Sequence, residues 1–98
     1  MNQLENSEES QTILVADDDD DIRLALELLL VTNGYRVIHA ANAREVQSQA
    51  DREMPNLVLL DMNFSRDTTS GREGLDILSK LVVANIPVIL MTAWGSIE

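Results

Sequence analysis

Apolar and polar positions fall into blocks along this chain, and the period changes from block to block. "TILVA" (Thr12 to Ala16) is a short, nearly unbroken apolar run, as a parallel strand covered on both faces requires. "DIRLALELLLVTNGY" then places Ile22, Ala25, Leu26, Leu29 and Leu30 at helical spacing, with Asn33-Gly34 as its stop. "YRVIHA" reads as a second strand. Asn42 with Glu45 forms a capping-box-like start to a helix that turns Ala43, Val46 and Ala50 inward and stops at Pro55. "NLVLLD" is a third apolar strand, and "GLDILSKLVVA" is a third amphipathic helix with Leu75, Leu78, Leu81 and Val82 on one side. "PVILMT" completes the pattern as a fourth strand.

Strand and helix therefore alternate from Thr12 onward, which predicts an α/β fold: a three-layer, doubly wound parallel sheet with right-handed crossovers and helices on both faces. In such sheets ligands sit beyond the carboxyl ends of the strands. The residues at those ends are Asp17 with Asp18, Asp61, and Thr92, and they converge on one edge if the first, third and fourth strands are neighbours.

Five consecutive aspartates, Asp17 to Asp21, need a physical reason, because adjacent carboxylates repel. The run divides at the end of the strand. Asp19 suits an N-cap, and Asp20 and Asp21 suit the positive end of the helix dipole. Asp17 and Asp18 belong to the strand-end cluster, where a cation is the natural counter-charge.

Composition narrows the classes of function. The 98 residues suffice for one domain with a single core, and 45% of them are hydrophobic. A formal net charge of -10, from 17 acidic and 7 basic residues, argues against direct contact with a nucleic-acid backbone. No apolar run is long enough to span a bilayer, the start lacks the pattern of a secretory signal, and there is no cysteine. A cytoplasmic location is the expectation. Residues 1–11, with Glu5, Glu8 and Glu9, read as a loose acidic tail ahead of a domain over 12–98.

"ILVADDDDDIR", "PNLVLLDMN" and "VILMTA", in that order, resemble the receiver domain of two-component response regulators, the CheY-like domains of the flavodoxin-like order 2-1-3-4-5. The resemblance implies that Asp61 accepts a phosphoryl group from a sensor histidine kinase. It implies that Asp17, Asp18 and Asp61 hold Mg²⁺ together with the backbone carbonyl of Asn63. It further implies that Thr92 hydrogen-bonds the phosphoryl oxygens beside the backbone N–H groups of Met62 and Ala93. Such a domain is a signalling phosphoacceptor that catalyses only its own phosphotransfer and dephosphorylation, and it regulates an output domain, commonly one that binds DNA. The residue types suit this chemistry: transfer of a phosphate to a carboxylate joins two anions, and a hard divalent cation that keeps several waters neutralises them.

The chain departs from the family pattern in two places. "MNFSRDTTSGRE", between Asp61 and Gly74-Leu75, is longer than the usual receiver loop and lacks its proline; a similar loop occurs in receivers of sigma-54-dependent transcription activators. The residues given run to Glu98, and the expectation is a receiver incomplete at its C-terminus, without the family's fifth strand, that strand's lysine and the fifth helix. Two alternatives stay open. One is a receiver-like interaction module without phosphotransfer. The other is a haloacid-dehalogenase-like phosphohydrolase that uses Asp17 as nucleophile beside Asp19. His39 and Trp94 carry no predicted role. Strand residues 88–91 and the outer side of the first helix (Leu24, Leu28, Val31) are apolar surfaces from which self-association is expected.

Overall fold

The computed structural model describes residues 10–61 and 72–91, with backbone alone for 72–75. Most of the acidic tail, the loop 62–71, and the stretch 92–98 with Trp94 lie outside the described residues. The elements alternate as the periodicity predicts: β1 (Thr12–Ala16), α1 (Asp20–Thr32), β2 (Arg36–Ala40), α2 (Ala43–Glu53), β3 (Leu57–Asp61), α3 (Arg72–Val83) and β4 (Val88–Met91).

The four strands form one parallel sheet in the order β2-β1-β3-β4. This is the expected order for strands one to four; a fifth strand is not among the described residues. β1 lies at the centre and is buried along its whole length, which explains its unbroken apolar sequence.

One face of the sheet carries the main core. Leu14 and Ala16 of β1, Ala40 of β2, and Val58 and Leu60 of β3 pack against Val46 and Ala50 of α2 and Ile77 and Leu81 of α3. Side chains alternate across a strand, so Ile13 and Val15 point to the opposite face, where α1 lies against β1 and β2. The central strand β1 is thus covered on both faces.

The helix ends obey local chemistry. The Asp19 carboxylate accepts from the N–H groups of Asp21 and Ile22, and Asn33 caps the other end of α1, followed by Gly34 at φ 93°. At α2 the Asn42 side chain accepts from the Glu45 N–H at 2.9 Å, while Glu45 reaches back to the Ala41 N–H at 2.7 Å.

Two of the expected helix faces are rotated in the structure. The inward stripe of α1 is Arg23, Leu26, Glu27 and Leu30, all half-buried, whereas Ile22, Ala25 and Leu29 are exposed. The reason is that both polar residues find partners on the sheet side. Arg23 donates to the Asp17 carbonyl, and Glu27 meets His39 Nε2 at 3.0 Å, tying α1 to β2. Apolar periodicity alone misses an inward stripe that is half polar. Among the described side chains of α3, which exclude the predicted Leu75, the buried positions are Ile77 and Leu81; Leu78 is half-buried and Val82 is exposed, because α3 turns the Ile77–Leu81 line toward α2 and the sheet.

Leu24, Leu28 and Val31 on α1 and Ile89 and Leu90 on β4 are exposed, in agreement with the sequence pattern. Burial therefore separates leucines of identical chemistry. Leu14→Ala, at a fully buried position, is expected to cost about 3 kcal/mol, and Leu24→Ala, at a position 53% exposed, less than about 0.5 kcal/mol, both read from urea unfolding midpoints.

Candidate metal centre

The register of the central strands builds the site. β1 pairs with β3 so that Ala16 lies opposite Leu60, and each strand then continues into an aspartate, Asp17 and Asp61. Asp18 follows in the turn into α1. One carboxylate oxygen from each of Asp17, Asp18 and Asp61 lies within 4.8 Å of the others. β3 in turn pairs with β4 so that Asp61 lies opposite Met91, the residue before Thr92. Three of the residues predicted for the site are thus brought together; Met62, Asn63, Thr92 and Ala93 lie outside the described residues.

The three acids sit in different surroundings. Asp17 is buried, with 4% of its surface exposed, while Asp61 is half-buried and Asp18 is exposed. Asp17 is held at three atoms. Its N–H donates to the Ala40 carbonyl at 3.1 Å, its Oδ1 accepts from the Asp19 N–H at 2.9 Å, and its carbonyl accepts from Arg23 Nη1 at 2.6 Å. Burial pushes the Asp17 carboxyl above its ordinary value, and the charges of Asp61, Asp18 and Asp19 push it further the same way; the Asp19 N–H opposes them.

Three carboxylates within reach of one point offer hard oxygen donors, the set that Mg²⁺ or Ca²⁺ prefers, and leave room for water in the remaining positions. Burial and the neighbouring carboxylates both disfavour the ionised form of Asp17, a cost that a divalent cation would offset. The residues therefore fit a divalent metal. Asp19 is occupied as the N-cap of α1, so the second acid of the phosphohydrolase alternative is already engaged with the helix backbone.

Arg23 is the residue near the site that the sequence pattern did not mark. Its spacing of three from Asp20 was the available signal, since those two pair across one turn of the helix. No helix among the described residues is long and apolar enough to cross a membrane.

The response regulator receiver domain family matches residues 13–98. "Sporulation initiation phosphotransferase F" of Bacillus subtilis is 36% identical over 91 residues, which cover 91% of this chain and 69% of that protein. "Probable transcriptional regulator ycf27" of Porphyridium aerugineum is also 36% identical over 91 residues, but this chain spans only 36% of its length. Among solved structures, the PhyR response regulator receiver domain of Erythrobacter litoralis superposes with a TM-score of 0.68 at 29% identity, covering 87% of this chain and 64% of that one.

The raised Asp17 pKa gives a signed prediction for the metal-free protein. Folding favours the protonated carboxyl, so the penalty for ionising it appears as pH rises through the folded pKa, above the ordinary 3.8. In a chelating buffer Asp17→Asn, which keeps the oxygen that accepts from Asp19, is expected to be more stable than wild type at pH 7. The gap should close as pH falls toward the ordinary carboxylate value, as read from urea midpoints across the pH range.

Proposed function

The chain belongs to the response regulator receiver domain family, and from that membership we propose that it is a phosphoacceptor in which Asp61 takes a phosphoryl group from the phosphohistidine of a sensor histidine kinase. The observation that carries this reading is the convergence of the Asp17, Asp18 and Asp61 carboxylates at the ends of adjacent strands.

In this reading one Asp61 carboxylate oxygen attacks phosphorus. The O–P bond forms as the N–P bond breaks, and the imidazole nitrogen keeps the electron pair and takes up a proton. Asp17, Asp18, Asp61 and the backbone carbonyl of Asn63 would hold Mg²⁺. When bound, the ion supplies the charge neutralisation that two approaching anions require. Thr92 and the N–H groups of Met62 and Ala93 donate to the phosphoryl oxygens. The turn that carries Asp17 and Asp18 is tied to the backbone of β2 and α1, which orients the acids before any ligand arrives.

The output is a surface change read by another domain. The name of the ycf27 relative supports transcription as that output, and the chain's span of about a third of that protein supports a separate effector part. The acidity of this chain supports leaving any DNA contact to that part.

Intact-mass spectrometry after incubation with Mg²⁺ and a small phosphoryl donor tests the assignment. A single phosphate adduct is expected on the wild type and none on Asp61→Asn. An adduct that persists in Asp61→Asn, or one that moves to Asp17, would contradict it.

A further inference from the structure

Arg23 occupies a position that elementary electrostatics disfavours. It lies in the first turn of α1, where the helix dipole repels cations, and its side chain is only 13% exposed, although Asp20 on the same turn is 86% exposed. Long basic side chains normally keep their heads in water. Here Nη2 pairs with the Asp20 carboxylate, Nη1 donates to the Asp17 backbone carbonyl at 2.6 Å, and Nε is buried without a partner. A cation held this way must recover its cost elsewhere in the structure.

The recipient of its hydrogen bond indicates where. The Asp17 carbonyl belongs to the peptide unit that joins Asp17, anchored through its N–H and Oδ1, to Asp18, which is exposed. Rotation of that peptide would swing Asp18 relative to Asp17 while leaving the β1 ladder intact. Arg23 grips the carbonyl that such a rotation would move. Because it grips backbone, it does not consume the oxygens of Asp17, Asp18 or Asp61.

We propose that Arg23 is a positioning residue for the cation site: its fork fixes the Asp17–Asp18 peptide so that the two carboxylates converge with Asp61. The proposal rests on the cation-site reading above. It differs from a purely electrostatic role in sign. If Arg23 acted on the site only as a positive charge, removing it would tighten binding of a divalent cation. If it acts as a clamp, removing it weakens binding, and loss of an outer partner of metal ligands typically costs about tenfold or more.

Calorimetric titration with Mg²⁺ alone, at a temperature where circular dichroism reports wild-type helix content, separates these cases. Arg23→Met keeps the length and apolar stem without charge or fork, and is expected to bind Mg²⁺ about tenfold more weakly than wild type. Arg23→Lys keeps the charge and a single donor, and should fall between the two. Wild-type or tighter binding in Arg23→Met overturns the proposal while the site reading stands. Should Arg23→Met fail to fold, Arg23→Lys decides: weaker binding supports the clamp, and wild-type affinity overturns it. Absence of Mg²⁺ binding in the wild type overturns the site reading and the proposal together.

Discussion

The parallel pairing of β1 with β3 sets Ala16 opposite Leu60, and both strands then release an aspartate at the same edge of the sheet. Everything at the candidate site depends on that register being held against the repulsion it creates. Two unit charges about 4 Å apart repel by roughly 1 kcal/mol in water and about 4 kcal/mol near a protein surface. Opposing this, Leu14, Val15 and Val58 are fully buried on the same two strands, each contributing about 1.5–3 kcal/mol. A slip by one residue would turn all of them to the wrong face. The apolar core therefore wins, and it delivers the carboxylates to one point as a by-product of its own packing.

Burial, and then the charges of Asp61, Asp18 and Asp19, push the Asp17 carboxyl above its ordinary value. The hydrogen-bonding groups around it are backbone or are aimed at backbone: the Asp19 N–H holds Oδ1, and Arg23 holds the Asp17 carbonyl. These bonds hold the turn at its backbone. The chain belongs to the response regulator receiver domain family, and the proposed transfer of a phosphoryl group to Asp61 would need a cation to offset the charge of two approaching anions.

The alternation of elements, the parallel sheet and the strand-end position of Asp17 and Asp61 were legible in the sequence because they rest on strong local signals: unbroken apolar runs, Asn and Asp caps, and strands that end in aspartate; the strand order came only with the family resemblance. The inward face of α1 was not. Counting apolar residues selects Ile22, Ala25 and Leu29, whereas the folded helix turns Arg23 and Glu27 inward to reach the Asp17 carbonyl and His39. Those partners are 6 and 12 residues away along the chain and exist only once α1 is docked. The same applies to Val82, which shares the apolar character of Ile77 but sits on the solvent side of α3. A pattern rule sees hydrophobicity; it does not see which polar groups a neighbouring element will offer.

Asp17, Asp18 and Asp61 together form the proposed divalent-cation site. Mn²⁺ is a paramagnetic substitute for Mg²⁺ with the same preference for oxygen ligands, and the line broadening it causes in an amide NMR spectrum marks where it binds. Broadening centred on the amides of Asp17, Asp18 and Asp61 is expected at substoichiometric Mn²⁺, reversed by excess Mg²⁺. Broadening centred instead on the acidic stretch around Glu5, Glu8 and Glu9, or spread evenly over the acidic surface, would contradict it.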